Sequence, residues 1–160
     1  MKPVRDCPCC SGLRYSACCA PRHTGATPAE TPEALMRSRY AAFVVGLGEY
    51  LVDTLASDHE DRAIPRAALA QELSNSRHKQ RFMGLEIVAA EGDWVLFVAR
   101  VFTKGRDDSF GELSTFRRED GTWRYASGML TGESRLPADR SLLTREAFVE
   151  LARTDPNAGK

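Results

Sequence analysis

Five cysteines crowd into residues 7–19, as Cys7-Pro8-Cys9-Cys10 and then Cys18-Cys19, and the rest of the 160 residues carry none. A disulfide framework spreads its cysteines so that each bridge closes a useful loop. These are packed too tightly to staple anything, and clustering of this kind points to a metal. The pattern C-x-C-x8-C-C offers four thiolates, Cys7, Cys9, Cys18 and Cys19. A tetrahedral ion such as Zn2+ takes four soft or borderline donors of that type. Ser11-Gly12 permits a tight turn that presents backbone amides to the sulfurs. So short a segment buries no core of its own, and the ion would supply most of its folding free energy. A redox cluster or incidental free thiols are the competing readings. Cys10 is left over, either as a spare thiol or as a substitute for a neighbour in an alternative ligand set.

The remaining chain has the composition of a soluble domain. With 42% hydrophobic and 28% charged residues it supports one core plus a short appendage. No run approaches the roughly eighteen apolar residues of a membrane span. The start, Lys2-Pro3-Val4-Arg5-Asp6, lacks the apolar stretch of a signal peptide. A cytoplasmic location without membrane contact is the expectation. The 22 basic and 22 acidic residues cancel, which removes any whole-chain electrostatic case for nucleic acid. A basic footprint survives only on the cysteine segment, where Lys2, Arg5, Arg14 and Arg22 outnumber Asp6. Part of it offsets the two negative charges of a tetrathiolate site.

Residues 24–32, rich in Thr, Pro and Gly, read as a linker. Thr31, Pro32 and Glu33 then form a helix start, with a capping hydroxyl and Pro at the first position. Met36, Tyr40, Phe43, Val44 and Leu47 follow at helical spacing. Gly46 and Gly48 interrupt it, and Tyr50, Leu51 and Leu55 resume it. Residues 65–79 form a further helix. From Phe82 the period changes to two, giving strands over 82–90, 94–103, 110–118 and 122–130. Asp120-Gly121 marks a two-residue hairpin. A strict register from that turn sets Phe116 opposite Tyr125, Ser114 opposite Ser127 and Glu112 opposite Met129. Residues 144–153 form a short amphipathic helix within a polar C-terminal stretch. The resulting class is α+β, with helices first and an antiparallel meander after them.

Two stretches resemble known families. Cys7 to Cys19, with Tyr15 between the cysteine pairs, resembles the SEC-C motif, in which the four ligand positions bind zinc. The motif usually has Gly where Cys10 stands, and Tyr15 matches the aromatic that packs inside the module. Related modules dock onto proteins or ribosomes. The segments Leu35–Phe43, Tyr50-Leu51, Phe97–Arg100, Glu112–Phe116 and Gly121–Tyr125 resemble the YchJ-like uncharacterised proteins. That likeness implies a cone-shaped nuclear-transport-factor-2-like (NTF2-like, cystatin-like) domain, a helix pair wrapped by a curved sheet, behind the SEC-C module. It divides the chain into a zinc module at 1–23, a linker at 24–32, the α+β domain at 33–135 and a C-terminal tail with a short helix at 136–160. The family often adds a second SEC-C motif at its C-terminus; residues 137–160 have no cysteine for one, which argues against bridging by two zinc modules.

A cone of this kind often encloses a pocket, so the strand faces matter. If the 104–109 loop turns Arg100 toward Glu112, an ion pair sits among aromatics, with Tyr40 nearby. The sharp reading is a ligand pocket of Tyr40, Arg100 and Glu112; the plain one is a cross-strand ion bridge without chemistry. No catalytic set emerges. Asp93, Asp107, Asp108 and Asp120 fall in turns, where Asp is favoured for backbone reasons. His23, His59 and His78 stand alone in polar segments. Neither a nucleophile elbow nor a phosphate loop is present. Arg37, Arg39 and Tyr40 offer a weak RNA-stacking motif, set against Tyr40 as core and the arginines as a solvated face or as partners of Glu33 and Glu49. The favoured function is non-catalytic: one structural Zn2+ orders a module that docks a protein or ribosomal partner. The alternative is a small-molecule binding protein or enzyme using the cone. Homodimerisation through an exposed sheet face is common in this fold class.

Overall fold

The computed structural model describes residues 5–158; the ends beyond them, with Lys2 of the basic footprint, lie outside the described residues. The cysteine segment closes with a short helix α1 (Ala20–His23). Helix α2 (Pro32–Val45) starts as its sequence dictates: Thr31 Oγ1 accepts from the Ala34 amide at 3.1 Å, and Pro32 occupies the first turn. Gly46 ends it in the left-handed conformation at φ 82°, which glycine adopts without strain. Helix α3 (Gly48–Asp53) follows at once, then α4 (Arg66–Lys79).

Four long strands come next: β1 (Arg81–Glu91), β2 (Trp94–Thr103), β4 (Phe110–Glu119) and β5 (Thr122–Gly132), with a two-residue β3 (Arg106–Asp107) against the end of β2. All pair antiparallel in the order β1-β2-β4-β5. Asp120 and Gly121, at φ 51° and 77°, make the expected two-residue turn. Register shifts interrupt β1 at two places and the β4–β5 ladder at one. Each adds local twist and bend, which curves the sheet.

The concave face holds the main core. Leu35, Met36 and Tyr40 of α2 pack on Leu85, Val95, Phe97, Ala99, Val101 and Phe116. Helix α4 closes against α3, where Gly48 lies so near the Ala70 carbonyl that a Cβ would overlap it. The convex face is covered as well. Leu96, Val98 and Leu113 meet Leu136, Leu143, Phe148 and Ala152, the last two on helix α5 (Arg145–Arg153). Two covered faces explain why β2 is apolar almost throughout instead of alternating. The C-terminal stretch, with its short helix, packs on the convex face: Phe148 is fully buried, and Asp155 accepts from Thr131 Oγ1 at 2.7 Å. Among the described residues no helix is long and apolar enough to cross a membrane.

Candidate metal centre and cone cavity

The cysteine segment folds by folding back on itself. The Tyr15 amide donates to the Arg5 carbonyl at 3.2 Å and the Cys7 amide to the Leu13 carbonyl at 2.7 Å. A 3-10 turn at Tyr15–Ala17 then delivers Cys18 and Cys19 to the start of α1. The four sulfurs of Cys7, Cys9, Cys18 and Cys19 lie within 4.8 Å of one another, all four residues buried and none in a disulfide. Cys9 Sγ to Cys18 Sγ is 3.6 Å and Cys18 Sγ to Cys19 Sγ is 3.9 Å. Four thiolates about 2.3 Å from one tetrahedral ion sit about 3.8 Å apart, so the donor set fits a single metal ion.

Burial and mutual hydrogen bonding divide the protons of the cluster unevenly. A hydrogen bond received from the Cys19 thiol draws Cys9 down to about 4 against its burial, with Ser11 helping. Burial pushes Cys7 up to about 11, and donation to Cys9 together with burial pushes Cys19 up. Four crowded sulfurs resist carrying four negative charges until a cation joins them. Cys10 stands apart from this group. Its side chain is exposed, its sulfur leans on the Pro8 carbonyl at 3.6 Å, and its backbone is left-handed at φ 63°. That conformation explains why the motif favours glycine there.

The module is fixed to the cone. Ala41 of α2 is part of the cysteine cluster, with Tyr15 beside it. His23 Nε2 donates to the Ser38 carbonyl and its Nδ1 accepts from the Tyr15 hydroxyl, each at 2.7 Å. Burial pushes the His23 pKa down, which keeps the neutral tautomer that this pairing needs. Arg37 Nη1 donates to the Cys9 carbonyl at 2.9 Å, and Arg22 Nη1 to that of Cys18 at 2.7 Å. The linker is tied down too, because Trp123 Nε1 donates to the Glu30 carbonyl at 3.2 Å.

Between α2 and the concave sheet face lies a cavity of about 820 Å³. Tyr40 and Glu112 line it. Glu112 is 8% exposed and shares its face with Phe97, its partner across the β2–β4 ladder. Its Oε1 accepts from Ser114 Oγ at 2.7 Å and from the Tyr125 hydroxyl at 2.6 Å. Burial pushes the Glu112 carboxyl above its usual range against the pull of those donors and of Arg39. Arg39, 9% exposed, extends from α2 over the Tyr125 ring at 4.8 Å and donates to the Leu51 carbonyl at 2.8 Å and to Thr54 Oγ1 at 2.5 Å.

Arg100 is not in this cavity. Strand alternation puts it on the convex side, exposed, 3.4 Å from Glu133. The expected Arg100–Glu112 pair is therefore replaced by Glu112 with Tyr125 and Ser114. The expected register also needs correction past Phe116–Tyr125. A bulge at Ala126 sets Ser114 opposite Gly128 and Glu112 opposite Leu130. The same shift brings Gly128 under Glu112, where a Cβ would overlap both Glu112 Oε1 and the Tyr125 hydroxyl. The RNA-stacking motif dissolves: Tyr40 is core, Arg39 is buried instead of solvated, Arg37 serves the module, and Glu49 pairs with Arg66. His23 and His59 are less solitary than their surroundings suggested, since His59 lies 5.6 Å from the Tyr125 ring. Arg39 was open to detection, because it stands one turn from both Met36 and Phe43 on the apolar stripe.

The folded chain can now be set beside known proteins. Residues 31–128 match the family model described as the YchJ middle NTF2-like domain. A UPF0225 protein of Deinococcus radiodurans is 40% identical over 77% of this chain and 88% of its own length. The UPF0225 protein YchJ of Shigella dysenteriae is 37% identical over 76% and 81%. The solution structure of a SEC-C motif containing protein from Rhodopseudomonas palustris superposes with a TM-score of 0.65 at 32% identity, over 78% of this chain and 97% of that one. A crystal structure of another such protein, from Psychrobacter arcticus, gives 0.61 at 25% identity, over 78% and 81%. By family model, sequence relatives and fold, the chain belongs to the YchJ (UPF0225) family, an NTF2-like cone joined to an N-terminal SEC-C cysteine cluster.

Proposed function

We propose that this chain is a zinc-stabilised interaction protein whose SEC-C module docks a protein or ribosomal partner. The carrying observation is the donor set: four buried sulfurs lie within 4.8 Å of one another, enough to fill all four positions of one tetrahedral ion. Sites of that kind are structural, whereas catalytic zinc keeps an open position. Cys7, Cys9, Cys18 and Cys19 hold the ion, which supplies folding free energy and neutralises the thiolates. What the ion orders is a surface. Leu13 is 55% exposed at the tip, with Arg5, Asp6 and Arg14 exposed beside it, so the module offers an apolar contact flanked by two arginines. Such a tip suits an acidic protein face or ribosomal RNA phosphates.

Native mass spectrometry of the zinc-loaded chain should show one ion. The docking reading is tested by cosedimentation with purified ribosomes and, separately, by cross-linking in ribosome-free extract. The expected result is a complex lost in Leu13→Asp, which keeps its zinc, and retained in Glu112→Gln. A complex indifferent to Leu13→Asp, or none in either setting, overturns docking through this module.

A further inference from the structure

The cone cavity carries unspent hydrogen-bonding capacity. Glu112 Oε1 is occupied by Ser114 and Tyr125, but Oε2 accepts from no described residue. Arg39 commits Nη1 to Leu51 and Thr54, and its Nε and Nη2 reach no acceptor among the described residues. Both side chains are more than nine-tenths buried and both line the cavity. The side chains as a whole are buried, but these open atoms are not among the fully buried unpaired ones, so they face the cavity's own space, where a ligand can take them up. The surrounding walls are Phe82, Phe97, Phe110 and Phe116, with Tyr40 on the helix side. Rings of this number favour a flat or cyclic body held face or edge on. The volume of about 820 Å³ falls within the usual range for small-molecule sites.

Charge selects among such bodies at the buried end of the cavity, because the other charged lining residues, Asp58, Glu60, Asp61 and Arg117, keep access to water. The guanidinium lies over one face of the Tyr125 ring while the Tyr125 hydroxyl donates to the Glu112 carboxylate, so the two opposite charges balance across one side chain. A charged ligand would upset that balance and leave one buried charge uncompensated. We propose that the cavity binds a small uncharged ring compound that donates a hydrogen bond to Glu112 Oε2 and accepts one from the Arg39 guanidinium. A hydroxyl or amide on one edge and a carbonyl on another meet those demands. The site is independent of the docking tip, and neither reading depends on the other.

The test uses the full zinc-loaded chain and 6-acetyl-2-naphthol, a fluorescent neutral ring with one hydroxyl and one carbonyl. Saturable binding is expected at one molecule per chain. Its analogue 2-acetylnaphthalene, lacking the hydroxyl, should bind about 10- to 100-fold more weakly, as expected for a hydrogen bond to a charged group. In Glu112→Gln the two probes should bind alike, because the amide offers a donor where the carboxylate accepted. Arg100→Leu, on the convex face, should change neither affinity. The probe pair is read on the unaltered chain, so the outcome does not hang on how a variant folds. Failure of the folded chain to bind either probe, equal affinity for both, or tighter binding of 2-naphthoate or a naphthylmethylammonium ion overturns the proposal. Loss of docking in Leu13→Asp with probe binding intact would separate the two sites.

Discussion

The cysteine module and the cone both hold charge away from water, by opposite means. In the module the groups that must meet are close in sequence, and its apolar cluster joins the four cysteines to Ala41 and Tyr15. In the cone, Glu112 of β4 and Arg39 of α2 come together through packing of whole elements, with an aromatic core around them. One region gathers the donors of a candidate metal site and the other an apolar core. A structure of this kind has two separable sources of order, joined at the Ser38–Ala41 face of α2.

Removing the metal should break that separation most completely. Binding to a structural four-thiolate site is worth on the order of 10 kcal/mol, nearly all of it expressed as folding of the segment. Cys19→Ser, or strong chelation, should abolish amide protection over residues 7–19 while the β2 and β4 amides stay protected. Hydrogen exchange read by mass spectrometry gives the answer directly. Loss of protection across the whole sheet would mean that the cone depends on the module, and the two-source description would fail.

A steric change in the cone should do the reverse. Gly128→Ala places a methyl group where Glu112 Oε1 and the Tyr125 hydroxyl now sit. Overpacking together with a lost charge-assisted hydrogen bond predicts a cost of about 2–4 kcal/mol. For a chain of this size that lowers Tm by roughly 10 °C. Zinc content should remain at one ion per chain. A variant that melts normally would show that the bulge at Ala126 can relax and that Gly128 is not required for the Glu112–Tyr125 contact.

A subtler test uses pH. Burial holds the Glu112 carboxyl above its usual range, so the folded chain binds this proton more tightly than the unfolded chain does. The group therefore favours folding below the ordinary Glu range and loses that contribution as pH rises through the folded value. Gln does not titrate. Between about pH 4.3, the ordinary Glu value, and neutrality, the stability of Glu112→Gln relative to the parent should rise with pH. Tyr125, Ser114 and Arg39 already offset part of the cost, so the effect is smaller than that of the methyl group at 128. Urea denaturation of both zinc-loaded proteins across this range measures it, because metal loss at low pH affects both alike. A relative stability that stays flat with pH would place the carboxyl in a solvated site, and one that falls as pH rises would mean that its donors and Arg39 outweigh burial.

These two regions also differed in how far they could be read from residues alone. Four thiols at C-x-C and C-C spacing determine most of a metal site, because the chain between them is too short for many other arrangements. Helix starts and the Asp120-Gly121 turn were legible for the same local reason. The cavity was not. Its polar floor depends on one extra residue at Ala126, and no turn-based register anticipates a bulge. The expected Arg100–Glu112 pair depends on how the 104–109 loop turns, and a strand apolar on both sides gives no sign of which face turns inward. Only the burial of Leu96 and Val98 under Phe148, from the far end of the chain, resolves that ambiguity.

The finest discrimination between the two regions comes from the spare cysteine. Cys10 sits within the metal loop yet contributes no sulfur to it, and its left-handed backbone costs about 1 kcal/mol for a residue with a Cβ. Glycine there removes the strain, while the greater freedom of glycine in the unfolded chain gives back about 0.4–1 kcal/mol. Cys10→Gly should therefore change stability by less than about 1 kcal/mol, leave zinc stoichiometry at one, and leave zinc affinity unchanged in competition with a chromogenic chelator. Its exposed thiol should account for all rapid alkylation of the zinc-loaded protein, since the four buried sulfurs are protected by the ion. A fall in zinc affinity in Cys10→Gly would mean that Cys10 exchanges with one of the four ligands. The metal site would then be a set of five sulfurs sharing four positions, and the local, ligand-built region would be less rigidly specified than the cone it rests on.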